Sequence, residues 1–199
     1  MSDQTKTSIV NQALREIGSY RVDDIDTDPG ADAQVARDIW ETCRRFALSC
    51  NEWRFATRTV QLAQLAIAPV GPYAVAYAMP SDLIYLGAVA NTSTLDPPLR
   101  EWDVMDNVLF AKDHAIFISY TYDHITTGLW PAWFVDYMVA LLAARMASAL
   151  KSTTERQRLE DLAMKRQGYA KSADGSQQPV RRQPEGDWVR SMHTRAFGR

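Results

Sequence analysis

Residue types on which many enzymes and secreted proteins depend are scarce in this chain of 199 residues. It holds two cysteines, Cys43 and Cys50, and three histidines. If both cysteines lie on one helix, their spacing places them about 10 Å apart along its axis. That separation exceeds the reach of a disulfide. We therefore expect two reduced thiols, as is usual for proteins that stay inside the cell.

Signatures of catalysis and of cofactor binding are absent from the sequence. It contains no glycine-rich phosphate loop, no dinucleotide fingerprint and no nucleophile elbow. His114, His124 and His193 form no paired metal-ligand spacing with one another or with the cysteines. We predict that the protein is not an enzyme, has no catalytic residues, and needs no metal or other cofactor.

Long uninterrupted apolar runs are also lacking. The most apolar stretch, residues 132–150, is broken by Asp136 and Arg145, so no membrane span and no membrane partner are predicted. The first twelve residues lack the apolar region of a signal peptide. We expect synthesis in the cytoplasm.

Charge is nearly balanced overall, with a net charge of −2, but it is unevenly placed. Residues 165–199 carry eight lysines and arginines against three acids, so the rest of the chain is acidic. An acidic body with a basic tail predicts that the tail binds an acidic surface or nucleic acid.

The hydrophobic periodicity predicts helices at both ends of the chain and strands between them. Apolar residues at helical spacing mark a first helix that Gly18 ends. A second helix is expected to bury Val35, Ile39, Cys43, Phe46 and Cys50, with Arg44 outside that stripe. Helices return after Trp130, and Ser152 and Glu155 fit a capping box that opens the fourth.

The central segment alternates in the manner of strands, and we expect Trp53 and Phe55 to begin its first strand. The segments 108–110 and 116–122 flank a turn at 112–114 and are predicted to form a hairpin. The fold class is therefore α+β: about four helices with an inserted small antiparallel sheet or sandwich. The expected divisions are residues 1–52 with 128–173 (helical bundle), 53–127 (β subdomain) and 174–199 (extended arm).

An acidic loop between the first two helices begins like a calcium-binding loop, with Asp24, Asp26 and Asp28 at alternate positions. The glycine needed at position six and the glutamate needed at position twelve are both missing. We favour a solvated loop in which Asp32 caps the second helix. In an assembly these acids become candidates for subunit contacts or for a channel wall.

Aromatic residues near the predicted sheet raise the alternative of a surface on which nucleic-acid bases stack. At their spacings, Trp40, Trp53 and Phe55 are interpreted as core residues. Arg54 and Arg58 are expected on the opposite strand face, where they are further candidates for contact with a neighbouring subunit or with a channel.

The final segment is too polar and too rich in proline and glycine to form a core, yet it keeps large apolar residues between arginines. A disordered tail is usually poor in aromatics. We predict a docking arm that orders on a partner, through Val180, Arg181, Arg182, Trp188, Val189, Arg190 and Phe197.

Three stretches together resemble the phage tail tubular protein A family, the head-to-tail adaptors that also occur in gene transfer agents. The first is a helix of N-x-A-L-x-x-I-G type at residues 11–18. The second is a W-x-F-A segment at 53–56, followed by a Y-x-x-P-x-D element at 77–82. The third is an alanine-rich helix after the sheet. The family often has a proline before the tryptophan, where this chain has Glu52.

The resemblance implies a structural protein at the head-tail junction of a phage or gene transfer agent particle. Such adaptors form a ring, usually twelve-fold, beneath the portal protein. The ring extends the DNA channel, through which DNA passes without sequence specificity, and it contacts a neck, stopper or tail protein below. In related adaptors the C-terminal segment docks on the portal. The alternative from the residues themselves is a nucleic-acid-binding protein that uses the arginine-rich tail.

Overall fold

The computed structural model describes residues 4–67, 71–150 and 153–177. Within them lie four α-helices, seven β-strands and two 3₁₀ turns, at Arg54–Ala56 and Thr127–Leu129. The helices are α1 (Lys6–Glu16), α2 (Ala31–Ser49), α3 (Ala132–Leu150) and α4 (Thr153–Ser176). The strands are β1 (Thr57–Gln61), β2 (Gln64–Leu65), β3 (Val75–Ala78), β4 (Leu83–Ala90), β5 (Trp102–Met105), β6 (Val108–Ala111) and β7 (Phe117–Tyr122). The α+β prediction is confirmed.

Helix α3 is the centre of the helical part and packs against α1, α2 and α4. Its residues from Phe134 to Ala144 are all buried except Asp136, as expected for a helix that is apolar on every side. Trp40 of α2 stacks on Trp130, just before α3, with ring centroids 6.2 Å apart. Both indoles are nearly inaccessible, which confirms that Trp40 is a core residue.

Helix α1 begins and ends where its sequence indicates. The Thr5 hydroxyl accepts a hydrogen bond from the Ser8 backbone N–H, which satisfies one of the free donors of the first turn. At the other end Gly18 has φ +67°, and the Ser19 N–H reaches back to the Leu14 carbonyl at 2.9 Å. This is the Schellman arrangement that glycine favours.

The strands form two antiparallel sheets, β1-β7-β4 and β2-β3-β6-β5, which share a second hydrophobic core. The predicted hairpin between 108–110 and 116–122 is therefore wrong, because β6 and β7 belong to different sheets. The hairpin that does form joins β5 to β6. Asp106 and Asn107 both have positive φ in its turn, as a type I′ turn requires.

Helix α2 buries only part of the predicted stripe: Cys43 is fully buried, and Val35 and Ile39 pack partly buried against the core. Its buried residues are Ala33, Ala36, Trp40, Cys43, Arg44, Ala47 and Leu48. Phe46 was expected inside but is 46% exposed, whereas Arg44 was expected outside and is buried. The small alanine side chains of α2 allow neighbouring elements to approach closely, and Trp40 is the largest side chain that the helix buries. Both cysteines are free thiols, as predicted.

Two expectations about segment ends are also corrected. Trp53 precedes a 3₁₀ turn that contains Phe55, so neither residue begins the first strand. Trp53 is instead fully buried in the helical core, against Phe134 and Tyr137. Helix α4 continues through Ser176, so residues 174–176 of the predicted arm are helical. Ser152 of the predicted capping box lies outside the described residues.

Candidate assembly surfaces

The acidic loop is held together by its own hydrogen bonds. The Asp24 carboxylate accepts from the Asp26 N–H at 3.2 Å and from the Thr27 hydroxyl at 3.1 Å. These bonds, the backbone one first, lower the pKa of Asp24. Lys6 of α1 pairs with Asp26 at 2.6 Å, and Asp28 accepts from the Gly30 N–H at 2.7 Å. Each candidate acid in this loop therefore has a partner within the chain.

The same loop is tied to both neighbouring helices. The Asn11 side chain of α1 bonds to the N–H and the carbonyl of Val22, each at 2.9 Å. Arg37 of α2 donates to the carbonyls of Ile25 and Asp28. Gly30 is the N-cap of α2 and Asp32 lies in its first turn, so the predicted cap by Asp32 is wrong. Among the residues that the structure describes, no three His, Cys, Asp or Glu side chains are grouped to hold a metal ion.

Arg54 lies at the point where α4 meets the entry to the sheets. Its backbone N–H donates to the Asp174 carboxylate at 3.1 Å, while its side chain is exposed. Asp174 is 3% exposed, and burial raises the pKa of its carboxyl group. The last turn of α4 is thus fixed to the 3₁₀ turn before β1. The sequence pattern missed Asp174 because an aspartate between Ala173 and Gly175 resembles a helix end.

Arg58 on β1 also has its partners inside the chain. Its guanidinium pairs with Asp82 at 3.0 Å and lies 3.6 Å from the centroid of the Tyr122 ring. The Tyr120 hydroxyl donates to the other oxygen of Asp82 at 3.1 Å. Arg58 is therefore a half-exposed cation that links β1, β7 and the start of β4.

A buried ion pair joins the helices to the end of β7, and sequence reasoning missed it. Arg44 of α2 donates from two nitrogens to the two carboxylate oxygens of Asp123, both at 3.0 Å. The Arg44 side chain is 7% exposed and that of Asp123 is 18% exposed. Glu41, one turn earlier on α2, also contacts Arg44. No local pattern marks this pair, because its members are far apart in the chain.

His124 lies beside that ion pair. Its ring is buried against the rings of Phe55 and Tyr122, at 5.7 Å and 5.1 Å between centroids. Its Nδ1 has no hydrogen-bond partner among the described residues. Burial, and secondarily the Arg58 cation, lower the pKa of His124, so a neutral ring is favoured there.

An open apolar groove of about 490 Å³ lies between α2, α3 and α4. Phe46 and Met164 line it, and they are 46% and 62% exposed. The Arg145 guanidinium lies 4.7 Å from the Phe46 ring centroid. Exposed apolar side chains in a groove are typical of contact surfaces. Sequence reasoning assigned Phe46 to the core and did not predict this groove.

The docking-arm candidates all lie outside the described residues: Val180, Arg181, Arg182, Trp188, Val189, Arg190 and Phe197.

Within the described part of the chain, no helix is long and apolar enough to cross a membrane. Among the candidate residues that the structure describes, Arg58 contacts Asp82 and Tyr122 of the sheets, and the Arg54 backbone contacts Asp174 of α4. Asp24, Asp26 and Asp28 lie on a separate loop, between α1 and α2.

No protein-family model matches the chain, and no curated protein matches it significantly.

Proposed function

We propose that this protein is a non-enzymatic head-to-tail connector of a phage or gene transfer agent particle. In this function, copies of the chain form a ring, twelve-fold as in the adaptors it resembles, between the portal and the neck or tail. The ring extends the DNA channel at the head-tail junction, and the C-terminal arm docks on the portal.

The observation that carries the proposal is the role of the residues behind the resemblance. Asn11 fixes the chain after α1 through both groups of Val22, and Trp53 fills the helical core. The Tyr77 hydroxyl donates to the Asp113 carbonyl, and Asp82 binds Tyr120 and Arg58. These residues maintain a framework, so the shared pattern supports a structural protein better than a catalytic one.

The geometry at the end of α4 supports the docking role of the arm. Because Asp174 binds the Arg54 N–H, the last helical turn before the arm has a fixed position on the body. Because the start of the arm is held in place, the arm loses less conformational entropy when it binds a partner. Trp188 and Phe197 then supply apolar anchors, while Arg181, Arg182 and Arg190 complement an acidic portal surface.

Ring assembly on the portal protein of the same particle tests this function. A chain ending at Gln177 is expected to keep its helical circular dichroism and to lose portal binding, seen by electron microscopy and by co-sedimentation. In the full chain, Trp188→Ala with Phe197→Ala should weaken binding at least tenfold. The control, Met192→Ala, removes another apolar side chain of the arm, one that is not among the docking candidates, and should bind nearly as tightly as the parent.

The alternative function, nucleic-acid binding through the arginine-rich tail, predicts a different experimental result. A DNA-binding arm predicts affinity of the free protein for duplex that falls steeply as salt rises. Normal portal assembly by the shortened chain would contradict the docking role. Salt-dependent duplex binding together with that result would favour the alternative.

A further inference from the structure

The two sheets have four edges, and three of them carry devices that block strand addition. Strand β2 has only two residues. Strand β4 has two register shifts against β7, and its Val89 carbonyl accepts the Leu99 N–H. On β5, the Asp103 carboxylate accepts the Val104 N–H at 2.8 Å. Short strands, bulges and filled donors are the usual protections of exposed edges.

The fourth edge, on β1, has none of these protections. Its five residues pair with β7 in continuous register from Thr57↔Thr121 to Gln61↔Phe117. The Leu62 N–H donates to the Ile116 carbonyl at 2.8 Å. Because ladder bonds alternate in antiparallel pairs, Val60 and Arg58 also bond toward β7, whereas Thr59 and Gln61 direct their backbone groups away from it.

The outward backbone groups of β1 are accessible. Thr59 and Gln61 are exposed residues, and their outward N–H groups have no partner among the described residues. Such an edge accepts an extended segment through main-chain hydrogen bonds. We define Thr57–Gln61, on the side away from β7, as the open edge.

The chain leaves α4 close to the start of β1. Asp174 binds the Arg54 N–H three residues before β1 begins, and Thr57 and Gly175 line one cleft of about 570 Å³. The described chain then ends at Gln177. Eleven residues later begins the sequence WVRSMHT, residues 188–194. Eleven residues span up to about 36 Å, which is ample to return to β1.

The segment 188–194 is also the part of the arm best suited to a strand. It has no proline or glycine, whereas Pro179, Pro184 and Gly186 precede it and Gly198 follows. Tryptophan, valine and threonine favour extended pairing. The prolines of the earlier part cannot donate ladder hydrogen bonds.

We propose that the open edge of β1 is a docking site for residues 188–194 of the same chain. Attachment through a short linker gives the segment an effective concentration in the millimolar range, so it outcompetes a second copy at ordinary protein concentrations. The docked segment covers the edge in the free protein.

Residue-resolved amide hydrogen exchange of the full chain tests the proposal. The Thr59 and Gln61 amides should exchange at least about tenfold more slowly than in a Ser191→Pro variant, which removes a donor from the middle of the docked segment. That ratio corresponds to an edge occupied roughly nine-tenths of the time. The Arg58 and Val60 amides, bonded to β7, are internal controls and should not change.

Two further variants separate this site from general effects on folding. Ser191→Ala keeps the N–H and should retain protection, as should Gln61→Ala on the edge. Thr59→Pro removes an outward donor without touching the bonds to β7, and it should release residues 188–194 to rapid exchange. Unprotected Thr59 and Gln61 amides in the parent chain would overturn the proposal. Protection that persists in Ser191→Pro, or that rises with protein concentration, would also overturn it, because the occupant would then be another segment or a second copy.

Discussion

Replacing Asp123 with asparagine tests whether the ion pair with Arg44 holds the helices to the sheets. The substitution keeps the shape of the side chain but leaves the Arg44 guanidinium, 7% exposed, without its bidentate partner. Breaking a buried pair from one side costs about 3–5 kcal/mol. Asp123 is partly exposed and Glu41 still contacts Arg44, so we expect a loss just below that range, about 2–3 kcal/mol of unfolding free energy.

Urea unfolding followed by tryptophan fluorescence and circular dichroism measures this loss. With a typical urea dependence, a loss of that size lowers the midpoint by roughly 1 M. The double variant Arg44→Met with Asp123→Asn should lose at least about 1 kcal/mol less than the two single losses combined, because neither charge is left unpaired.

The control is Arg156→Met, which breaks an exposed pair with Glu160 on α4. Surface pairs contribute about 0–1 kcal/mol, so its midpoint should move little. If Asp123→Asn shifted the midpoint no more than this control, or if the single losses were additive, the pair would have no structural role at the junction.

Two further predictions concern residues that lie where the helices meet the sheets, His124 and Gly87. Because the folded state lowers the pKa of His124 below 6.5, the unfolded chain binds more protons below that pH, and stability falls as pH decreases. Relative to His124→Gln, the parent should lose up to about 1.4 kcal/mol per pH unit below pH 6.5, and parallel urea midpoints from pH 7.5 to 5 would contradict this. Gly87→Ala places a Cβ 2.5 Å from the Glu52 carboxylate and 3.0 Å from the Ser119 carbonyl, so a cost of about 1–3 kcal/mol is expected. Adding Glu52→Ala should recover part of that cost, and a Gly87→Ala variant as stable as its parent would refute the steric argument.

Local patterns predicted those elements whose physics is local. The stripe of α1 and its end at Gly18 follow from helical spacing and from the positive φ that glycine accepts. The order of helices and strands likewise follows from the change of hydrophobic period along the chain. These features depend on residues within a few positions of one another, so one sequence contains enough information to predict them.

Pairing between strands could not be predicted in the same way. Strands β6 and β7 are close in the chain, yet they join different sheets. Their partners β3 and β1 lie far back in the sequence. The local signal for the true hairpin is the Asp106-Asn107 dipeptide, because both residue types tolerate the positive φ of a type I′ turn.

The candidate surfaces show the same division. The sequence by itself determined the α+β class, the helical segments, the scarcity of catalytic groups and the uneven distribution of charge. Tertiary structure alone decided that Arg44 is buried and Phe46 exposed, since the bidentate partner of Arg44 is Asp123, 79 positions away in the chain. It also decided that Asp174 fixes the end of α4 and that β1 keeps an open edge. Burial and edge exposure depend on which segments, distant in the sequence, pack together in the fold, and no local sequence pattern specifies that packing.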